Sequence, residues 1–142
     1  MTDFERPLNK RGKGDAPEMG KRMVERNQLP ELIISSEANR AISTARLLNE
    51  QLNTKLITSD KLYHSSPDII IEVIAETPNE VNSLAIVCHN PGVSQLNYLL
   101  TGHALDMVTC AICQIDLEID TWKGLIPEIG NLAHFDYPKN VN

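Results

Sequence analysis

The chain has 142 residues and a mass of 15.8 kDa, a length that suits one ordinary domain and is too short for two. Its composition, with 42% hydrophobic and 23% charged residues, is typical of globular proteins and excludes a disordered chain, a collagen-like fibre and a coiled coil. The net charge of −6 disfavours a nucleic-acid binder or a protein that binds anionic membranes.

The N-terminal part of the chain differs from the rest in having no strand-like apolar run before residue 30. Residues 2–14 are polar and turn-rich and include the segment Arg6-Pro7-Leu8. Helical spacing then predicts a first helix whose apolar face ends in Val24 and which ends at Pro30 at the latest. Residues 1–30 carry seven basic and five acidic side chains, which predicts either a solvated helix face or a surface that steers an anionic substrate.

Strand and helix patterns alternate along the remaining residues. The pattern predicts helices that begin after Ser36, at Ser66-Pro67 and at Pro91-Gly92, with Ser36 as the N-cap of the first of these. Strands are expected at residues 32–34, 56–58, 84–88, 110–117 and 132–137, and residues 84–88 give the strongest signal of a buried strand. The alternation predicts a single α/β domain, a three-layer α/β/α sandwich with a mostly parallel sheet and helices on both faces.

The three cysteines are interpreted as reduced thiols in a cytoplasmic protein. Cys88, Cys110 and Cys113 are odd in number and lie within apolar segments, which does not suit a disulfide framework. Cys110 and Cys113 form a C-x-x-C pattern, but residues three apart on a strand face opposite sides, so we expect neither a disulfide nor a metal site there. The charged N-terminus is unlike a signal peptide, and no run of 18 apolar residues predicts a membrane span.

Two polar loops follow predicted strands, at the edge of the sheet where α/β proteins bind ligands. Arg40 falls in the first turn of its helix, where a cation opposes the helix dipole, so it is a candidate anion-binding residue, with an exposed surface arginine as the equal alternative. His89 follows the most apolar strand and precedes a Pro-Gly turn, which favours a functional role over a structural one. His64, His103 and His134 are predicted to be structural.

These segments resemble the histidine phosphatase superfamily, and within it the small SixA-like phosphohistidine phosphatases. The resemblance rests on residues 6–12, on Ser35-Ser36 followed by Arg40-Ala41, on His89-Asn90-Pro91-Gly92 and on the ending Phe135-Asp136-Tyr137-Pro138. It covers nearly the whole chain and implies a phosphoglycerate mutase-like fold. It also implies metal-independent and cofactor-independent phosphoryl transfer, in which a histidine of an Arg-His motif is phosphorylated and water then hydrolyses the intermediate.

The resemblance assigns roles to four residues. Arg6 corresponds to the phosphate-binding arginine of the Arg-Pro-Leu motif, Arg40 to the arginine after the double serine, and His89 to the second histidine of the pocket. Arg40 and His89 would be catalytic, and Arg6, Arg40, His89 and Asn90 would bind phosphate, although Asn90 could equally serve only the turn. The implied ligand is a phosphohistidine-bearing protein of signal transduction or a small phosphate ester, with no nucleic acid and no membrane.

One departure from the family makes enzymatic activity uncertain. No Arg-His pair occurs in the sequence, so both the nucleophile and the first, central strand of the family are missing from residues 1–142, and we expect an N-terminally incomplete domain. Lesser departures are Glu37 in place of proline and Cys88 in place of glycine. Three hypotheses follow: a truncated phosphatase, which we favour, a non-catalytic phosphate- or phosphoprotein-binding module, and an interaction protein without a working site.

Overall fold

The computed structural model describes residues 1–140, and within this range helices and strands alternate as predicted. Two short 3-10 turns lie at Asp60–Leu62 and Trp122–Gly124. The regular elements are, in chain order, α1 (Lys10–Glu25), β1 (Leu32–Ser36), α2 (Asn39–Leu52), β2 (Lys55–Ser59), α3 (Pro67–Ala75), β3 (Leu84–Val87), α4 (Gly92–Thr101), β4 (Ile112–Leu117) and β5 (Gly130–Asp136).

The first three strands form a parallel sheet in the order β2-β1-β3, so β1 is its central strand. In this register Ile34 of β1 lies between Ile57 of β2 and Ile86 of β3. The prediction of an α/β fold with a mainly parallel sheet is confirmed. The last two strands, β4 and β5, form a separate antiparallel pair.

Helices cover both faces of the sheet, and β1 contributes apolar side chains to each face. Ile33 packs with Ile42 and Ala45 of α2 on one face. Leu32 and Ile34 face the opposite way, towards the buried side chains of α3 and α4. This two-sided burial explains why the apolar residues of β1 run continuously instead of alternating with polar ones.

Helix α1 begins earlier than its apolar spacing predicts. Asn9 precedes the helix, and its side chain accepts a hydrogen bond of 2.8 Å from the N–H of Gly12, which is a standard N-terminal cap. Residues 10–14 are therefore helical, and the prediction of a turn-rich segment up to residue 14 is wrong over those five positions. Val24, placed by the spacing on the apolar face, is exposed.

Ser36 is not the N-cap of α2. The helix begins at Asn39 after Ala38, and no side chain caps it. Ser36 is the last residue of β1, completely buried, and its Oγ accepts the N–H of Ala38 at 3.2 Å. Ser36 lies two positions before the N-cap position, which Ala38 occupies, and its side chain supports the strand-to-helix turn instead.

A groove separates β3 from β4 across the middle of the molecule. Among residues 1–140, β3 pairs only with β1, and β4 pairs only with β5, so each has a free edge. Both strands line a cavity of about 1020 Å³. The strand with the strongest buried-strand signal, β3, is consequently only half-buried at all four positions, whereas β1 is buried at all five.

The cysteines are free thiols, and Cys110 precedes β4 rather than lying within it. Its φ of 65° places it in a turn, so the C-x-x-C pattern spans the start of a strand. Burial raises the pKa of Cys88, Cys110 and Cys113 to about 11, which keeps them protonated. Within the described part of the chain, no helix combines the length and apolar character needed to cross a membrane.

Candidate phosphoryl-binding site

The candidate site lies at the carboxyl edge of the parallel sheet, where β1, β2 and β3 all end. β1 leads into the turn before Arg40, β2 leads into the 3-10 turn before Tyr63, and β3 leads into His89. Since parallel strands end at the same edge, three loops that are distant in sequence come together there. The N-terminal segment before α1 lies across this edge.

Two arginines converge on the carboxylate of Asp3. Arg40 Nη2 lies 3.3 Å from Asp3 Oδ2, and Arg6 Nε lies 3.5 Å from Asp3 Oδ1. Arg40 also donates from Nη1 to the backbone carbonyl of Asp3 at 3.0 Å. Arg6 and Arg40, 34 positions apart in sequence, therefore form one anion-binding pair.

Tyr63 and His64 lie on another side of the same carboxylate. The hydroxyl of Tyr63 donates to Asp3 Oδ2 at 2.6 Å, and His64 Nε2 lies 3.7 Å from the same oxygen. The hydrogen bond from Tyr63 lowers the pKa of Asp3, and the two nearby arginines lower it further. Asp3 is therefore ionised at neutral pH.

His89 lies beside this cluster at the end of β3. Its Nε2 is 2.8 Å from the hydroxyl of Ser36, and its ring meets the ring of Tyr63 edge-on at 5.5 Å. Burial lowers the pKa of His89 to about 4, and the positive charge of Arg40 contributes in the same direction. The imidazole is thus neutral at physiological pH and carries one donor and one acceptor nitrogen.

Asn90 belongs to the loop rather than to the arginine cluster. Its amide donates to the carbonyl of Met107, and its side-chain oxygen accepts the hydroxyl of Ser94. Both bonds hold the chain around the start of α4 in place. Both polar atoms of the Asn90 side chain therefore bond to other parts of the chain.

The loop of His89 and the loop of Tyr63 are in direct backbone contact at Gly92. A Cβ atom on this glycine would lie far inside van der Waals contact with the carbonyl oxygen of Ser65. Only glycine permits this approach, so close packing against the neighbouring loop requires a glycine at the start of α4.

The N-terminus of α2 is less available to a ligand than expected. We expected free N–H groups beside Arg40, but the N–H of Asn39 donates to the carbonyl of Phe4 at 2.9 Å. The side-chain amide of Asn39 also donates to the carbonyl of Glu5 at 3.0 Å. Glu37, which would repel a phosphate if it faced the site, is exposed.

The structure thus brings together Arg6, Arg40 and His89 and leaves the amide of Asn90 engaged elsewhere. It adds four residues that the sequence reasoning did not select, namely Asp3, Ser36, Tyr63 and His64. Tyr63 and His64 carried a recognisable signal, because they follow the end of β2 just as Arg40 and His89 follow β1 and β3.

Comparison with known sequences finds similarity to one family over the part of the chain that holds much of this cluster. Residues 2–65 match the family model of the histidine phosphatase superfamily (branch 1). An uncharacterized chloroplastic protein of Arabidopsis thaliana is 24% identical over 135 residues, and an uncharacterized protein of Mycobacterium leprae is 29% identical over 102 residues. These alignments cover 87% and 72% of this chain, and 62% of the length of each relative.

Solved structures with the same fold include several described as phosphohistidine phosphatases. The SixA protein of Nakamurella multipartitia has a TM-score of 0.89 at 17% identity, covering 98% of this chain and 88% of that one. The SixA protein of Agrobacterium tumefaciens has a TM-score of 0.82 at 23% identity, covering 97% and 87%. A protein histidine phosphatase SixA in complex with tungstate has a TM-score of 0.80 at 22% identity, covering 96% and 87%.

These matches agree with the motifs from which the resemblance was drawn, since Arg6, Ser35-Ser36 and Arg40 lie within the matched residues. The chain resembles the histidine phosphatase superfamily over residues 2–65, and its fold is that of the SixA phosphohistidine phosphatases.

Proposed function

We propose that this chain binds phosphoryl groups at the carboxyl edge of its parallel sheet, in the manner of a phosphohistidine phosphatase. The observation that carries the proposal is the convergence of Arg6 and Arg40 on a single carboxylate. Guanidinium groups offer planar sets of donors that match the oxygens of phosphate as well as those of carboxylates. A tetrahedral anion in the place of the Asp3 carboxylate would receive the same donors.

His89 and Tyr63 would complete the set of donors around such an anion. The neutral imidazole of His89 can donate from one nitrogen while the other bonds to Ser36, and the Tyr63 hydroxyl already donates to an anionic oxygen. Phosphoryl transfer depends mainly on positioning and on cationic donors around the equatorial oxygens. The tungstate in one related structure is likewise a tetrahedral oxyanion, which supports a ligand of this shape.

The test is a titration of the purified chain with inorganic phosphate, followed by the amide resonances of its NMR spectrum. We expect shifts at Arg40, Tyr63 and His89, and a loss of affinity of about tenfold or more in Arg40→Ala, because charge-assisted bonds to phosphate disappear. Arg46→Ala is the matched control, since Arg46 is an exposed arginine of the same helix. A spectrum without shifts at the carboxyl edge would refute the proposal and favour an interaction protein without a working site.

Hydrolysis is the second candidate function, and the groove between β3 and β4 is the observation that favours it. The groove exposes one free strand edge on each side, and an extended segment between them could pair with both edges. The contacts of Asp3 place the N-terminal segment at the carboxyl edge of the sheet, where a strand parallel to β3 would end. We propose that a strand ending in a nucleophilic histidine would fit there.

A fusion protein tests this second candidate. A strand of about five apolar residues followed by Arg-His is joined ahead of Met1 by a short flexible linker, and a matched version ends in Arg-Ala. We expect the Arg-His fusion to release phosphate from phosphoramidate and the Arg-Ala fusion only to bind phosphate, both with a higher melting temperature than the unfused chain. If the Arg-His fusion melts higher but releases no phosphate, the chain is a binding module rather than an incomplete enzyme.

The ligand class follows from the same site. A phosphohistidine-bearing signalling protein is the partner proposed, with a small phosphate ester as the alternative, and a cytoplasmic location is proposed with it. The site is open enough for either, because the Asp3 and Arg6 side chains remain about half exposed. Titration with a phosphohistidine peptide and with a sugar phosphate under the same conditions ranks the two by affinity.

A further inference from the structure

We propose that Asp3 is the resident anion of this site, competes with the phosphoryl ligand, and thereby sets the affinity of the site for phosphate. The inference rests on the proposed phosphoryl-binding function and deepens it. It concerns a residue for which the motifs in the sequence gave no role. Its basis is the arrangement of groups around one carboxylate.

The carboxylate of Asp3 occupies the point where donors from three loops meet. Oδ2 receives the Tyr63 hydroxyl at 2.6 Å and lies 3.3 Å from Arg40 Nη2 and 3.7 Å from His64 Nε2. Oδ1 lies 3.5 Å from Arg6 Nε. Three of these groups, the Tyr63 hydroxyl and the guanidinium groups of Arg6 and Arg40, belong to the donor set proposed for a phosphoryl group, and the side chain of Asp3 already uses them.

The carboxylate is not what holds the N-terminal segment in place. Backbone carbonyls do so, because Arg40 Nη1 donates to the carbonyl of Asp3, and Asn39 donates to those of Phe4 and Glu5. The ring of Phe4 also packs edge-on against Tyr63 at 5.1 Å. The carboxylate can therefore leave the arginines without detaching residues 3–5 from α2.

The contacts of the carboxylate suit an exchangeable ion more than a structural one. The Asp3 side chain is 45% exposed, and its distances to both arginines exceed 3.2 Å, so water can replace it. Its lowered pKa keeps it ionised at neutral pH and hence always present as a competitor. A phosphate dianion carries more charge and more acceptor oxygens, so it can displace the carboxylate, but with an affinity reduced by the exchange.

The chemical event is an exchange of ligands in which no covalent bond changes. The incoming phosphoryl oxygens accept from Arg6, Arg40 and Tyr63, and the Asp3 carboxylate turns outward into water. The opposite hypothesis is that Asp3 orients Arg40 and Tyr63 for the ligand, as a positioning residue would. The two hypotheses predict opposite changes in affinity when the carboxylate is removed.

The experiment measures the dissociation constant of inorganic phosphate for the intact chain and for Asp3→Asn, Asp3→Ala and Asp15→Asn at one pH and ionic strength. We expect both substitutions of Asp3 to tighten binding by about two- to fivefold, the range typical of one exposed ion pair. Asp15→Asn is the control, because Asp15 pairs with Arg11 on α1 outside the site, and it should bind like the unaltered chain.

The outcomes separate this inference from the proposed function. Weaker binding by both Asp3 variants, or binding equal to that of the unaltered chain, overturns the competitor role while leaving phosphoryl binding intact. If none of the four proteins binds phosphate, the proposed function fails, and the inference fails with it. The unfolding midpoint of each variant, measured in parallel, shows that a change in affinity does not come from loss of the fold.

Discussion

Two carboxylates in this protein are each held by two arginines, but in very different surroundings. Asp136, at the end of β5, is 1% exposed and binds Arg22 and Arg26 of α1. Asp3, at the carboxyl edge of the sheet, is almost half exposed and binds Arg6 and Arg40. The same residue types therefore form a structural anchor at one place and a candidate ligand site at the other.

Both oxygens of the buried Asp136 carboxylate have hydrogen-bond partners. Arg26 donates to Asp136 Oδ2 at 2.6 Å, and Arg22 donates to the carbonyls of Tyr137 and Pro138 at 3.0 and 2.8 Å. Burial by itself would raise the pKa of Asp136, but the hydrogen bonds from Arg26, Asn140 and the N–H of Tyr137 outweigh it, and the pKa is lowered.

This difference in exposure and bonding distinguishes an arginine pair that holds the fold together from one that is a candidate for binding a ligand. Arg22 also bonds to backbone carbonyls that cannot leave, so its place is fixed by the fold. The carboxylate that Arg6 and Arg40 share is almost half exposed, and we propose that a ligand exchanges with it. The basic N-terminal part of the chain thus divides into Arg22 and Arg26, which attach α1 to β5, and Arg6, which faces the site.

The largest effect is expected from Asp136→Asn, which leaves two arginines without their carboxylate. The free energy of unfolding should fall by about 2–4 kcal/mol, because breaking a buried ion pair leaves its partners uncompensated. The matched substitution Asp3→Asn should leave the midpoint of urea unfolding almost unchanged. Equal destabilisation by the two substitutions would contradict the distinction between anchor and exchangeable ion.

A smaller effect is expected in the pH dependence of stability, measured as the difference in unfolding midpoint between the unaltered chain and Asp136→Asn. The pKa of Asp136 is below its ordinary value of 3.8 in the folded state, so its contribution is present above about pH 4 and is lost as the pH falls through the folded value. The gap between the two unfolding midpoints should therefore be constant from pH 7 to 5 and close below pH 4. Comparing variants at each pH cancels the contributions of other groups, and a gap that does not narrow as the pH falls below 4 would count against this pair.

The smallest effect concerns the protonation of His89 at the exposed site. Its ring should stay neutral from pH 8 to about 5 and titrate near 4, as followed by the ¹⁵N shifts of the imidazole. Saturation with phosphate should raise its pKa, because a nearby anion favours the imidazolium form. Titration of His89 near 6.5 in the free protein would show that its ring is not buried as described.

Most elements of the fold could be predicted because their patterns are local. The apolar spacing of Ala41, Ala45 and Leu48 predicted α2, and Ser66-Pro67 predicted the start of α3. The early start of α1 was missed because it depends on one hydrogen bond from Asn9. The half-burial of β3 was missed because the burial of a strand depends on neighbours that its own residues do not specify.

The candidate site was predictable only where residues followed a predicted strand. Arg40 and His89 were found in this way, and Arg6 was found through the resemblance. Asp3 was missed because two of its partners, Arg40 and Tyr63, lie 37 and 60 positions away and its own segment has no regular pattern. The pairing of a polar loop with two loops that are distant in sequence arises only in the folded chain, and no spacing of residues in the sequence predicts it.

The absence of a side chain at Gly92 has a mechanical consequence for the site. Because the backbone of this residue lies against the Ser65 carbonyl, the loop that carries His89 is in contact with the loop that carries Tyr63 and His64. A larger residue would push the two loops apart and increase the distance between the His89 and Tyr63 rings. In the proposed phosphoryl site, this glycine would therefore set the spacing of two side chains without itself contacting the ligand.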